Sequence, residues 1–324
     1  MKNISPITVL MPTFNCSKTI SMAIKSILNQ SFPDFELLIV DDGSVDNTEQ
    51  IITYFKDDRI RYVKKHHSGL ASSLNYGLKI AKYDWVARMD ADDICAPNRL
   101  ERQLEKGSFR PNTINCTWSS YFRDHKILYT VETPSDQLDL KKKLALHSYI
   151  CHPSVIYNRN FILAQGGYDC ELQRFEDYEL WLRLMNNCSF HVVPEYLLFM
   201  RIRNNSLSRE NIIENRKIVH SIQLPYYESL ENNFGITENS NKIIVRGWRE
   251  YFYGSPSLSR IEWGKDKLHI LFDPRIIIAY FISFFPENIV NIFRDKRVRI
   301  RLASYLKNFR INKSFLEILS EIAP

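Results

Sequence analysis

Trp85-Val86-Ala87-Arg88-Met89-Asp90-Ala91-Asp92-Asp93 is a short, mostly apolar run that ends in three carboxylates. An apolar run of this length reads as a buried strand, with the acids just past its carboxyl end. Three carboxylates in four residues repel one another, and Arg88 is the only base beside them. Hard oxygen ligands of this kind suit Mg²⁺ or Mn²⁺. An acidic first turn on the helix that begins near Pro97 is the competing reading.

Upstream, strands and helices alternate. Ile7–Met11, Glu36–Val40 and Ile60–Val63 read as strands; Ile20–Leu28, Asn47–Phe55 and Leu70–Ala81 read as helices by their apolar spacing, with Ser17 as a candidate cap. This order predicts an α/β fold, with a mostly parallel sheet flanked by helices. Ligands of such sheets bind beyond the strand carboxyl ends. Pro12-Thr13-Phe14-Asn15, Asp41-Asp42-Gly43-Ser44 and the Asp90 cluster all lie at those ends. A nucleotide pocket is the reading that joins them, with Phe14 able to stack on a base. Asp-Gly is equally an ordinary turn signal.

Farther along, Asn115–Phe122 and Ile127–Val131 read as a hairpin turning near Asp124. Leu138–Leu146 reads as helix and Ser154–Tyr157 as strand. Phe175–Asn187 is a helix opened by Glu176 and Asp177, and Phe190–Val193 and Leu198–Ile202 read as two closing strands. A carboxylate at that helix start can take a proton from a hydroxyl nucleophile, or simply favour the positive helix end.

Five segments together resemble the family 2 glycosyltransferases: Pro12-Thr13-Phe14-Asn15; Asp41-Asp42-Gly43-Ser44; Gly69-Leu70-Ala71 through Asn75 and Gly77; Ala87 to Asp93; and Glu176-Asp177-Tyr178 with Trp181 and Arg183. Order and spacing match over residues 5–205. The resemblance implies a GT-A fold, inversion at the anomeric carbon and a nucleoside-diphosphate sugar donor, with a UDP-sugar favoured. It implies that Pro12, Thr13, Phe14, Asn15, Asp41, Asp42, Arg88, Asp90 and Ala91 form the nucleotide-sugar side. Asp92, with Asp90, would hold Mn²⁺ or Mg²⁺. Asp177 would be the general base, and Glu176, Trp181 and His152 of His152-Pro153-Ser154 would line the acceptor side. Phe14 departs from the tyrosine common at its position, so stacking survives and a phenolic hydrogen bond does not. The Q-x-x-R-W signature of processive synthases is absent, which implies transfer of one sugar per encounter.

The rival readings fit less well. A haloacid-dehalogenase-type phosphatase would place a glycine behind its acids, and a nucleotidyltransferase a glycine-rich basic loop near the N-terminus. A degenerate, membrane-associated scaffold that binds sugar nucleotide would not need Asp90, Asp92 and Asp177 intact.

The chain has 324 residues, enough for one large domain or two smaller ones. The expected division is a catalytic domain over 1–205, its donor half about 1–95 and its acceptor half about 96–205, followed by a mainly α-helical region over 206–324. Residues 294–313 hold eight Lys/Arg and one Asp, a net of +7 against +6 for the whole chain, so the body is close to neutral. A basic amphipathic tail fits an anionic membrane surface and a lipid-linked or cell-surface glycan acceptor; nothing supports a nucleic-acid partner. Six scattered cysteines without a C-x-x-C pair read as free thiols. The N-terminus has no secretory pattern, and Ile276–Phe293 is interrupted at Pro286 and is too short to span. The expected location is cytoplasmic, peripheral on the inner face of the membrane.

Overall fold

A computed structural model of the chain describes residues 6–144, 147–203, 212–226, 239–265, 274–285 and 290. Its described residues fall into two compact units. The first lies within 6–137 and 149–203 and holds the sheet; the second takes in Leu138–Ser148 and residues from 204 to 303. Leu138–Ser148, read from sequence as part of the acceptor half, thus groups with the helical unit.

The first unit begins with β1 (Ile7–Thr13), α1 (Ile20–Leu28), β2 (Phe35–Asp41), α2 (Thr48–Tyr54), β3 (Ile60–Lys64), α3 (Leu70–Ile80) and β4 (Trp85–Arg88). β1 and β2 are buried along their whole length, as strands covered on both faces must be, which explains the apolar runs Val9–Met11 and Leu37–Val40; the polar Thr8 and Glu36 inside the strands hydrogen-bond to each other. Ile20, Ala23, Ile24 and Ile27 recur at helical spacing and bury one face of α1 against β1 and β2. On α3, Gly77 admits the side chain of Leu10: a Cβ there would lie 2.3 Å from Leu10 Cδ1. The predicted Ser17 cap is not formed. α1 starts at Ile20, and the Ser17 N–H donates to Asp46 Oδ2 (3.1 Å) instead.

Beyond β4 come β5 (Ile94–Cys95), α4 (Arg99–Lys106), β6 (Thr113–Arg123) and β7 (Lys126–Val131). β8 (Ile156–Asn158), α6 (Arg159–Ala164), α7 (Glu176–Leu184) and β9 (Ser189–Arg201) complete the unit; α5 (Gln137–Leu144) lies almost wholly in the second. Two readings are corrected here. Ser154–Tyr157 divides into a 3₁₀ turn at His152–Ser154 and β8, and the two closing strands are one strand, β9, with register shifts opposite Thr117–Ser119 of β6. Pro194 has no N–H for a ladder, and β9 passes it where its pairing with β6 jumps from Val193 to Tyr196.

Strand order is β3-β2-β1-β4-β8-β6-β9-β5, with β7 on β6. β1 to β4 are parallel. β8 is antiparallel to β4 and β6, and β9 runs parallel to β6. The carboxyl ends of β1, β2, β3, β4, β6 and β9 therefore share one edge. Register sets Thr13 beside Asp41, and Leu10 beside Arg88. Because β5 pairs with β9 at Phe199 and Leu198, the Asp90–Asp93 loop must pass from the end of β4 to the end of β9. Sheet topology thus carries the acids to Arg201.

The second unit contains α8 (Ile212–Gln223), α9 (Asn239–Phe252), α10 (Pro256–Gly264) and α11 (Pro274–Ile282). Tyr251, Phe252, Trp263, Ile276, Ala279 and Val290 form its buried core. Ser255 caps α10 by accepting from Ser257 N (3.3 Å), with Pro256 as its first residue. The basic tail, 294–313, lies outside the described residues. No helix among the described residues is long and apolar enough to cross a membrane.

Candidate active site

On the nucleotide side, Gly43 turns the chain after β2 with φ +79°, and a Cβ there would lie 3.1 Å from His67 N and 3.2 Å from Lys65 O. Only glycine fits this turn without strain. It aims Asp41 and Asp42 inward, and both carboxylates are already engaged. Asp41 is fully buried; it accepts from Ser44 N (2.8 Å) and from the Tyr62 hydroxyl (2.7 Å). Asp42 pairs with Lys65 and accepts from Ser68 N (3.0 Å) and Gly69 N (2.8 Å). Burial pushes the Asp42 carboxyl up, but Lys65 and these N–H groups outweigh it and hold the group below the usual range. Both acids therefore tie the turn after β2 to β3 and the loop that follows it. Asn15, at φ 51°, joins the ends of β1 and β2 by donating its N–H to Ser44 Oγ and accepting from Val45 N, 2.9 Å each.

Pro12 is buried beside Thr13, whose hydroxyl is buried without a hydrogen-bond partner. Phe14 is 42% exposed and stacks on the His67 ring, centroids 4.2 Å apart. Sequence reasoning overlooked Lys65 and His67, although Lys64-Lys65-His66-His67 is a basic run at a strand carboxyl end.

In the acidic loop, Asp90, Asp92 and Asp93 each offer a carboxylate oxygen within 4.8 Å of the others. Asp93 is buried; one oxygen accepts from Arg201 N (2.8 Å) and the other has no hydrogen-bond partner. Burial, with the Asp92 and Asp90 charges, drives its carboxyl well above the usual range, and burial with Asp90 raises Asp92. This is an electrostatic load that a divalent cation would relieve, and all-oxygen donors fit Mg²⁺ or Mn²⁺. Ala91 packs into the core, so its side chain is no ligand. Arg201 also donates Nε to Asp92 O (2.9 Å), and Arg203 pairs with the Asp92 carboxylate. No local pattern marks either arginine.

Arg88 joins the two halves. Its guanidinium is 2% exposed, Nη1 lies 2.5 Å from Asp90 Oδ2, and its charge also acts on Asp93, Glu176 and Asp177. α7 opens at Phe175, a non-glycine residue at φ 64° and ψ 25°. A bulky residue in this region is strained, which favours a functional constraint. Glu176 and Asp177 follow at once, and Asp177 Oδ1 accepts from Tyr178 N (2.8 Å). Burial raises Asp177 to about 6 against the pull of Arg88, and burial with repulsion from Asp177 raises Glu176 to about 7. A carboxylate tuned toward neutrality at a helix start suits proton abstraction.

His152 and Trp181 are buried rather than exposed in a cleft. His152 Nε2 meets the Tyr168 hydroxyl (2.8 Å), which also meets the Tyr157 hydroxyl (2.9 Å). Burial and the Arg88 charge depress the imidazole well below its usual value, so it is a neutral ring that supports the wall. Asn75 and Arg183 hold the same turn. Asn75 exchanges two 2.8 Å bonds with the Tyr168 backbone, and Arg183 bridges Gly167 O (2.6 Å) and Glu179 (2.8 Å).

Engaged acids at the end of β2, a carboxylate cluster and a raised acid at a helix start thus stand on a sheet of GT-A type. The model of glycosyl transferase family 2 matches residues 8–166. The O-antigen biosynthesis glycosyltransferase WbnJ of Escherichia coli is 31% identical over 217 residues, covering 63% of this chain and 82% of that protein. The UDP-Glc:alpha-D-GlcNAc-diphosphoundecaprenol beta-1,3-glucosyltransferase WfgD of E. coli is 29% identical over 218 residues, covering 64% and 81%. The crystal structure of S. aureus TarS 1-349 in complex with UDP-GlcNAc superposes with a TM-score of 0.54 at 18% identity, covering 86% of this chain and 90% of that one. The chain belongs to glycosyl transferase family 2.

Proposed function

We propose that this glycosyltransferase moves one sugar from a UDP-sugar to a hydroxyl of a lipid-linked or cell-surface glycan, with inversion. The observation that carries the reading is the shared electrostatic field of Arg88. One buried guanidinium pairs with Asp90 and its charge lowers both carboxyls of the Glu176–Asp177 pair, which supports a leaving group and a base that share one site. WfgD, by its name, uses UDP-Glc and a diphosphoundecaprenol-linked acceptor, and TarS was crystallised with UDP-GlcNAc; both support a UDP-sugar donor.

In this mechanism Phe14 stacks on the base, and the wall set by Asp41, Asp42, Asn15 and Thr13 surrounds the nucleoside. Asp90 and Asp92 would hold Mn²⁺ or Mg²⁺, which would supply positive charge to the diphosphate leaving group. Asp177 takes the proton of the acceptor hydroxyl as its oxygen attacks the anomeric carbon from the face opposite the diphosphate. The new C–O bond forms as the old one breaks, so an α-linked donor yields a β-linked product. A panel of nucleotide sugars with Mn²⁺ and a lipid-diphosphate sugar acceptor, read by release of nucleoside diphosphate, tests the whole reading; no acceptor-dependent release from any donor counts against it.

Asp92→Ala is expected to abolish the part of UDP affinity that depends on Mn²⁺. Titration calorimetry with and without Mn²⁺ reads this, and equal metal enhancement in the variant and the parent would remove Asp92 as a ligand. For the acceptor side, the basic stretch 294–313 is proposed to hold the enzyme on an anionic membrane surface. The expected result is flotation with phosphatidylglycerol-containing liposomes that is lost at high salt and on deletion of these residues. Flotation unchanged by the deletion would remove the tail from the mechanism.

A further inference from the structure

Arg203 lies just past β9, 111 residues from Asp92 in the chain, yet its Nε donates to Asp92 Oδ2 (2.5 Å) and its Nη2 pairs with the same oxygen. The two partners differ in freedom. The Asp92 side chain is only 14% exposed, whereas that of Arg203 is 45% exposed. Asp92 is anchored through Arg201, because its own carbonyl accepts from Arg201 Nε and the next residue, Asp93, accepts from Arg201 N. Arg203 has no such second anchor among its described hydrogen bonds and ion pairs. If the contact is to break, the arginine is the side that moves.

A guanidinium and a divalent cation cannot both take the same inward lone pairs of Asp92. Binding of a cation at Asp90 and Asp92 must therefore displace Arg203 from that oxygen or leave it sharing a weakened contact. A displaced guanidinium stays beside a site that, with a nucleoside diphosphate bound, gains two phosphates. Arginine suits that second partner, since its planar fork matches phosphate as well as carboxylate geometry.

Resting on the proposed cation role of Asp90 and Asp92, the geometry points to Arg203 as an exchangeable internal counter-ion. It occupies Asp92 when the site is empty and transfers to the diphosphate when the cation takes Asp92. Two consequences follow. Without nucleotide, Arg203 competes with the cation and weakens its binding. With nucleotide, it adds a contact that exists only after the cation has entered. Cation and diphosphate binding are then coupled, and by linkage each strengthens the other by the same factor.

The test is Mn²⁺ affinity, read by the loss of the free-ion electron paramagnetic resonance signal, for the full chain and for Arg203→Gln and Arg203→Lys, with and without UDP. Arg203→Gln is expected to bind Mn²⁺ alone about tenfold more tightly, the scale of one charge-assisted contact. The enhancement of Mn²⁺ affinity by UDP should shrink by a similar factor. Arg203→Lys keeps the charge but not the fork, so it should fall between the two. Unchanged Mn²⁺ affinity and unchanged UDP enhancement in Arg203→Gln would overturn the exchange while leaving the cation site standing, provided Asp92→Ala abolishes binding. Mn²⁺ binding that Asp92→Ala leaves intact, or no Mn²⁺ binding with UDP present, would overturn both the cation reading and the exchange. Weaker Mn²⁺ binding in Arg203→Gln without nucleotide would also overturn it, and the melting temperature of each variant separates that result from misfolding.

Discussion

Asp177→Asn should lower the rate of sugar transfer by about 10²–10⁴-fold, the range that a positioned general base supplies, while UDP affinity stays at the parent value. The amide is close to isosteric, so it retains the Asp177 place at the start of α7 and can still accept from Tyr178 N. It cannot take a proton. The parent should also show a pH signature. Burial holds the Asp177 carboxyl up at about 6, and only the ionised form acts as base. Activity should therefore rise with pH through about 6 and level off above it. Glu176, raised to about 7 by burial and by Asp177, still carries its proton over the lower part of that range. Steady-state kinetics from pH 5 to 8, with calorimetry for UDP, check both expectations. Near-parent turnover in Asp177→Asn would take the base role away from this residue.

Arg88→Met should cost about 3–5 kcal/mol of folding stability, the usual penalty for stripping the partner from buried charge. The physical reason is the company Arg88 keeps. It is 2% exposed and lies against Asp90, and its charge lowers the carboxyls of Asp92, Asp93, Glu176 and Asp177, all of which burial raises. Without it Asp90 loses its ion-pair partner and the buried Glu176–Asp177 pair loses the positive charge that lowers both carboxyls, leaving Arg203 to offset Asp92 alone. The acids would stay protonated to higher pH, so any activity left in the variant should appear at a higher pH than in the parent. A urea midpoint that drops with an unchanged m-value tests the stability effect. The shifted pH profile tests the electrostatic one. An Arg88→Met variant of parent stability would mean that water already screens the cluster.

Much of the donor side was legible from residue pattern. The mostly apolar runs of β1 and β2, each followed by a polar cluster, read as buried parallel strands ending at one edge, as they are. Gly43 after two acids announced a tight turn, and its φ of +79° bears that out. What residue pattern could not show was which partners each carboxylate takes. Asp41 and Asp42 have the same local signal as Asp90 and Asp92, yet their oxygens are taken by Ser44, Tyr62, Lys65, Ser68 and Gly69. Four of those five partners are contributed by the turn and loop that follow β2 and β3, and Tyr62 by β3 itself. Only the packing of those segments sets who donates to whom. Residue pattern was equally silent on the burial of His152 and Trp181, which packing alone decides.

The opening feature, Asp90-Ala91-Asp92-Asp93, divides along the same line. By itself the sequence determined that carboxylates follow a buried strand, that an acid pair opens a later helix and that the chain belongs with proteins that place both in one active site. Those are local properties: apolar period, turn chemistry and the order of motifs. Tertiary structure decided the rest. β5 pairs with the end of β9, which brings Arg201 and Arg203 to the acids from more than a hundred residues away. The register of β4 buries Arg88 against Asp90 of the acidic loop, and its charge acts on Glu176 and Asp177 at the start of α7. Ion pairs at such separations have no periodicity and no local signature, because they form only after the chain has already closed the loop between them.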